Sequence, residues 1–529
     1  MKLTKKLTFL KSPYFLLALI LLLGLILRLF SLNQPYWGDE ILSLQIVKHY
    51  WSDPAGMIQY LRAVEVHPPL YYLLLLVWTH LFGFAEAAVR SLSLLFGLAT
   101  IILTYVLGKE LWQNTRAALL AALLVAVMPL PIIFSQEARP YIIFSFFGLL
   151  CFLWLWRYLQ TGKRLLIFYF SLSAIIGLYL HYSFIFILAP LLLGGLVWLM
   201  AKGRFLKQYP DILGAVVFIF LGFYWWLPVL FYKVVLGNYE LLGLPRSTNY
   251  FRPFYFIEST FNQLLWTVKS RQITQLEIFS LWLAKVLIFV AAFKTMIAED
   301  KKKQYFVVFS LFFLVVVAAA LFLFSPASQG YVAVYEKHIF WLSVLLALLI
   351  AGLAIKLSNK QAAVLISVLL ITFIPFNVKI LASRFAFDQD RAQKNIALQI
   401  NEFYQSGDIV IDNFSYDRSN LNYYLRPDIS AYGFYPPQLL DWRQDFYASR
   451  ETIGFLENEA QSRISAVSKE DLEKKLRYII NSSQPQRIWL AFADYENYQI
   501  KVWLEQHGWR HALYAIDRFS PLDLYVKEE

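Results

Sequence analysis

Uninterrupted apolar runs dominate the first 380 positions. Stretches at 13–32, 89–108, 117–134, 140–158, 165–181, 183–200, 211–230, 279–297, 304–324, 338–356 and 361–378 each supply roughly the 17–25 residues that a helix needs to cross a bilayer. A segment in hydrocarbon must satisfy its own backbone groups, so the pattern predicts eleven transmembrane helices. One further run, at 68–82, holds only about fifteen apolar residues. Counting it as a crossing would invert every later connection, so it is read as a half-embedded or re-entrant helix on the outer face. No small-residue cleavage site follows Phe30, and the first run is read as an uncleaved span.

Beyond 380 the apolar runs shorten and charges spread. Strand-like segments fall at 408–412, 487–492, 511–516 and 522–526, and helical patterns with charged faces at 390–404, 469–480 and 498–506. Strands alternating with helices predict a small α/β domain. The expected organisation is a membrane module over 1–380, whose extracytoplasmic first loop covers 33–88, followed by an extracytoplasmic α/β domain over 381–529.

Composition excludes an ordinary soluble domain. Of 529 residues, 59% are hydrophobic and only 16% charged, against a globular norm of about 25%. Aromatics reach 18%, as expected where rings collect at two lipid–water interfaces. The single cysteine, Cys151, permits neither an internal disulfide nor a thiolate metal site. A net charge of +12 suggests nucleic acid until it is divided by region. Residues 1–380 carry 31 Lys+Arg against 14 Asp+Glu, a balance of +17, whereas 381–529 carry 17 against 22, a balance of −5. The basic residues lie in short clusters at every second connection: Lys109 and Arg116; Arg157, Lys163 and Arg164; Lys202, Arg204 and Lys207; Lys294 and Lys301 to Lys303; Lys356 and Lys360. That alternation is topology information and argues against a nucleic-acid patch. It places those connections in the cytoplasm and, with an odd span count, the acidic C-terminal domain outside.

Candidate chemistry gathers on the outer side. The first loop reads Asn33-Gln34-Pro35-Tyr36-Trp37-Gly38-Asp39-Glu40, with two adjacent carboxylates where the chain leaves the hydrocarbon. They suit either a reactive site or the N-terminus of a helix, whose dipole favours acids. Ser135-Gln136-Glu137-Ala138-Arg139-Pro140-Tyr141 is a second outer loop with an acid and a cation, which also reads as a hairpin closed by a local Glu137–Arg139 pair. His67 before Pro68-Pro69, His181-Tyr182, Lys337-His338 and Arg28 add polar groups on the same side, where long basic side chains also act as interfacial anchors. Together they supply what transfer from a lipid phosphate needs: a carboxylate to take a proton and cations for the departing phosphate.

The ordered set Arg28-Leu29, Tyr36-Trp37-Gly38-Asp39-Glu40, His67-Pro68-Pro69-Leu70-Tyr71-Tyr72, the 135–141 loop and His181-Tyr182 resembles the bacterial C-type glycosyltransferases of the protein-mannosyltransferase and 4-amino-arabinose lipid A transferase superfamily. The resemblance covers roughly the first 200 residues at motif level. It implies a multi-pass enzyme of the bacterial inner (plasma) membrane that moves a sugar, with inversion, from a polyprenyl-phosphate carrier to an extracytoplasmic glycan, lipid or protein. By the same resemblance Asp39 corresponds to the first-loop catalytic acid, with Glu40 as neighbour or alternate, and Glu137 to the second-loop acid. Arg139, Lys337, His67 and His338 are the candidates for the donor phosphate; His181, Tyr182 and Arg28 complete the site. Where the lipid-A branch has a Lys before the proline, this chain has His67, which points away from an aminoarabinose substrate. No cofactor is implied with certainty. Some relatives contain zinc and others work without metal, and Glu65, His67 and His181 lack a ligand spacing such as HExxH. Two other readings compete. A transporter or flippase of lipid-linked sugars requires mid-membrane charges and duplicated halves, whereas a scaffold would use the C-terminal domain for protein contacts.

The Lys and Arg alternation makes a direct prediction. A reporter fused after Ser358 is expected in the cytoplasm and one after Glu529 outside it; a cytoplasmic C-terminal reporter would contradict eleven spans.

Overall fold

Hydrophobic periodicity becomes helix over most of the chain. The computed structural model describes residues 12–63, 65, 67–232, 340–355, 357–386, 389–412, 420–435, 438–441, 469–491, 497–515 and 522–528, with isolated positions between 283 and 332. In chain order the helices are α1 (Pro13–Leu29), α2 (Gly38–His49), α3 (Pro54–Ala63), α4 (Leu70–Phe82), α5 (Glu86–Trp112), α6 (Thr115–Val127), α7 (Pro129–Ser135) and α8 (Tyr141–Thr161). They continue as α9 (Arg164–Leu180), α10 (Ile185–Ala201), α11 (Phe205–Phe223), α12 (Leu227–Phe231), α13 (Trp341–Ala354), α14 (Asn359–Ala386) and α15 (Gln389–Phe403). Two compact units result: Met1–Asn33 with Glu65–Ala382, and Gln34–Val64 with Ser383–Glu529. Residues 34–64 of the first loop therefore cluster with the C-terminal domain.

In the first unit, four described stretches are long and apolar enough to cross a bilayer: Glu86–Trp112, Tyr141–Thr161, Tyr182–Ala201 and Phe205–Phe231. The bent pair α6–α7 makes a fifth if it is one span, and α1, α4, α9, α13 and 359–373 are shorter apolar helices. The expected runs at 279–297 and 304–324 lie almost wholly outside the described residues. With 13 residues, α4 is about 20 Å long, less than a hydrocarbon core of about 30 Å. Leu19, Leu22 and Ile26 on α1 and Leu213, Val217 and Leu221 on α11 are exposed, as lipid-facing positions are, whereas α13 is buried along its length.

The run 117–134 is a broken helix, with α6 and α7 bent by 59°. Pro129 and Pro131 have no N–H to give, so the carbonyls of Val125 and Val127, four residues earlier, lose their helical donors. An unpaired carbonyl in lipid is costly. Arg28, fully buried on α1, fills the gap: Nη2 donates to Val125 O at 3.2 Å, Nη1 to Ala126 O at 2.9 Å, and Nε to Ser135 Oγ at 3.0 Å. Asn377 on α14 takes the remaining carbonyl, donating from Nδ2 to Val127 O at 2.9 Å. The guanidinium thus rests at the negative end of the α6 dipole, which offsets part of its desolvation. Close approach is needed here, and α5 supplies it with a glycine: a Cβ at Gly97 would lie 2.1 Å from Ser135 Oγ and 3.2 Å from Arg28 Nε.

In the second unit a six-stranded sheet separates two helical layers. Its strands are β1 (Ile409–Asp412), β2 (Ser430–Tyr435), β3 (Gln438–Asp441), β4 (Arg487–Ala491), β5 (Trp509–Ala515) and β6 (Leu522–Lys527), in the order β3-β2-β1-β4-β6-β5. β1 is parallel to β2 and β4; the outer pairs are antiparallel. Strand alternation divides the core into two sets. Ile409, Ile411, Ile488 and Leu490 join residues of α17 (Lys469–Ser483) and α18 (Asn497–Gln506). Val410, Trp489 and Ala491 join α15 and α16 (Asn420–Tyr424). β2 and β3 were not anticipated from sequence: Ser-Ala-Tyr-Gly-Phe-Tyr has a central Gly433 and no β-branched residue.

Replacing Arg28 tests the brace. Arg28→Met is expected to destabilise the detergent-solubilised protein by roughly 2–4 kcal/mol, because charged donors to several buried acceptors vanish together. Arg28→Lys should recover part of the loss, since an ammonium lacks the fork that spans Ser135 and two carbonyls. Thermal unfolding measures both; an unchanged midpoint for Arg28→Met would mean that the broken helix does not depend on it.

Candidate functional site

The brace fixes where the second outer loop emerges. Past Ser135, Gln136 is 2% exposed, and its Nε2 lies within hydrogen-bond reach of the carbonyls of Leu27, Arg28 and Phe30 at 3.2, 3.2 and 2.5 Å. These are the C-terminal carbonyls that α1 leaves without helical donors. Arg90 Nη1 adds a bond to Leu32 O at 3.0 Å. Gln136 and Arg28 therefore tie the C-terminal end of α1 to the C-terminal end of α7. A tight turn follows, in which Arg139 N–H donates to Glu137 O at 2.8 Å, and Pro140 leads into α8. Glu137 is half-buried and Arg139 only 3% exposed.

Arg139 meets a second segment there. Its Nη2 lies 3.3 Å from His67 Nε2, while His67 Nδ1 lies 2.6 Å from Glu65 Oε1. An ionised carboxylate only accepts and a guanidinium only donates, so the neutral tautomer with the proton on Nδ1 satisfies both neighbours. Glu65 is 5% exposed, so a buried charge is matched through an imidazole to a buried cation. The guanidinium also lies over the Tyr141 ring, 5.7 Å from its centroid. His181 completes the cluster. Its Nδ1 accepts from Ser183 N–H at 3.0 Å, and its ring packs against Phe144, His67 and Tyr141 at 5.2, 5.3 and 5.7 Å. Beside it, Tyr182 OH accepts from Trp226 Nε1 at 2.7 Å.

The described residues among those expected from sequence thus fall into three groups. His67, Glu137, Arg139, His181 and Tyr182 lie in the first unit, where His67, Arg139 and His181 are in contact. Arg28 is buried in the helix break and braces the loop from below. Asp39 and Glu40 belong to the second unit, at the start of α2. Glu40 is fully buried, and its carboxylate accepts from Trp37 N–H at 3.1 Å, the bond of a helix-capping acid. Asp39 is half-buried, and its backbone carbonyl accepts from Ser43 Oγ at 3.0 Å. Lys337 and His338 lie outside the described residues. Glu65 was not singled out as a site residue; its place two positions before His67 was the available signal. Asn377 and Trp226 had none, because their partners are remote in sequence. Among the described residues no group of three or more His, Cys, Asp or Glu is gathered as metal ligands would be.

Residues 66–226 match the family model described as dolichyl-phosphate-mannose-protein mannosyltransferase. That segment includes His67, Glu137, Arg139, His181, Tyr182 and Trp226. Two solved structures superpose on nearly the whole chain. ArnT from Cupriavidus metallidurans in the apo state gives a TM-score of 0.58 at 14% identity, covering 96% of this chain and 97% of that one. The same protein bound to undecaprenyl phosphate gives 0.56, with equal identity and coverage. The chain has the C-type glycosyltransferase fold. Among curated proteins, an uncharacterized protein of Aquifex aeolicus (strain VF5) is 31% identical over 107 residues, a stretch that spans only 21% of that protein and 20% of this chain. The fold expected from the ordered motifs is the fold found, with a small sheet domain in the C-terminal region.

Proposed function

We propose that the protein is a membrane glycosyltransferase that moves a sugar from a polyprenyl-phosphate carrier to a hydroxyl-bearing acceptor on the extracytoplasmic side of a bacterial inner membrane. The observation that carries this reading is the Arg139–His67–Glu65 cluster, in which Arg139 and His67 fall in the segment matched by a mannosyltransferase family model. A relative in fold, ArnT, has been solved with undecaprenyl phosphate, which suits a donor of this class.

The proposed reaction needs little acid catalysis. The acceptor oxygen attacks the anomeric carbon as the bond from that carbon to the phosphate oxygen breaks, giving inversion. The acceptor proton passes to a carboxylate, and the electron pair leaves with the polyprenyl phosphate, which gains one negative charge. Asp39 is the proposed base, on its place in the ordered motifs, with Glu137 as the second acid. Arg139 is the proposed phosphate ligand. His67, bonded on both sides, orients that guanidinium and contributes to the phosphate site through it, while Lys337 and His338 remain further phosphate candidates. Developing charge on the leaving oxygens is best met by donors already fixed in place, as Arg139 is by His67 and Tyr141. Glu40, with its carboxylate on Trp37 N–H, supports the helix that carries Asp39. No step is routed through a metal.

Transfer from a labelled polyprenyl-phosphate sugar tests the assignment. Asp39→Asn is expected to lower kcat by about 100- to 10,000-fold with donor binding retained, the usual cost of losing a general base. Glu137→Gln should be the next most severe. Arg139→Lys should weaken binding of a polyprenyl-phosphate analogue although charge is kept, because the bidentate fork is lost. Full activity in Asp39→Asn would remove it as base; unchanged analogue affinity in Arg139→Lys and Arg139→Ala would make Arg139 structural.

A further inference from the structure

The helix bearing Asp39 does not stand alone. We propose that the C-terminal sheet domain is its holder, with Tyr424 acting as a positioning residue for Asp39. This rests on the reading of Asp39 as base and adds a role for a domain that the reaction itself leaves idle.

Residues entering a helix have backbone N–H groups that the helix cannot satisfy. Just before α2 there are two: Trp37 N–H is taken by Glu40, within the helix, and Tyr36 N–H is taken by Tyr424 OH at 2.8 Å, from α16 of the C-terminal domain. Tyr36 is fully buried, and its ring meets Tyr423 edge-on at 5.7 Å. At the opposite end of α2, Lys48 lies over the same Tyr423 ring, 5.5 Å from its centroid. Both ends of the helix thus engage one pair of adjacent tyrosines, and Asp39 lies between those two anchor points.

The pair is itself braced. Asn401 on α15 donates to Tyr424 O at 2.8 Å and accepts from Arg426 N–H at 2.8 Å; Lys394 lies 5.1 Å from the Tyr424 ring centroid. Leu421 and Leu425, flanking the tyrosines, are buried in the core with Val410, Trp489 and Leu524. A continuous path of contacts therefore runs from the central strands through α16 to Tyr36, two residues before α2. Fixing a reacting group to within a fraction of an ångström is worth large factors in rate, so a holder of this kind acts on kcat more than on donor affinity.

Tyr424→Phe removes one acceptor and leaves the ring. With the full-length protein in detergent, hydrogen–deuterium exchange is expected to rise about tenfold over 37–49 and to stay unchanged over 409–412 and 487–491; in the transfer assay kcat should fall about tenfold, with the donor KM within about twofold. Unchanged exchange over 37–49 would overturn the holder. Raised exchange with full kcat would overturn the positioning role. Should Tyr424→Phe loosen the sheet as well, Lys48→Gln carries the test from the other end of α2: the same pattern, smaller, is expected, and no change in either readout would overturn the proposal. A wild-type chain that transfers no sugar would sink the functional reading, while the exchange arm would still decide whether the domain holds the helix.

Discussion

The position of the 136–140 loop depends on how the break between α6 and α7 is satisfied. Two prolines strand carbonyls where no water is available, and an arginine with an asparagine takes them. Each side of this bargain needs the other: the break would be costly without donors, and a buried guanidinium would be costly without acceptors. The same Arg28 reaches Ser135, and Gln136 next to it reaches back to the carbonyls of α1. Through these bonds α1, α6, α7 and α14 share one junction, from which the 136–140 loop leaves.

On that loop the electrostatics are economical. Glu65 and Arg139 are both buried, and His67 joins them as a neutral bridge, so the cluster as bonded carries balanced charge. A guanidinium held by an imidazole and a tyrosine ring loses little freedom on meeting an anion, which favours stabilising a departing phosphate over merely binding it. A lysine in place of His67 would bring a second cation close to Arg139 and would need a different partner. The histidine suits both of its neighbours, where a lysine would suit only Glu65.

The membrane helices and the α/β character of the C-terminal domain were legible because they rest on periodicity, which a single sequence displays. α15, α17, α18 and four of the six strands fall within a few residues of their expected places. Legibility ends where a contact is long-range. Pro129 and Pro131 announce a break, yet the run 117–134 reads as one span, and nothing nearby says that Arg28, about a hundred positions earlier, fills it. The carboxylate of Glu40 has a local partner, so a capping role could be weighed from sequence; Tyr36 bonds a hydroxyl 388 positions away, and its docking could not. β2 holds strand-favouring aromatics interrupted by Gly433, too short and broken a signal to be read alone, and its pairing with β1 and β3 forms it.

The cluster around Arg139 is proposed to meet a lipid phosphate. Structure determination of the protein in nanodiscs with added undecaprenyl phosphate tests it most directly. The account predicts phosphate density at the outer face within about 2.7–3.2 Å of the Arg139 guanidinium nitrogens, with His67 still between Arg139 and Glu65. Phosphate density at the cytoplasmic ends of the helices, or at the outer face without contact to Arg139, would contradict it.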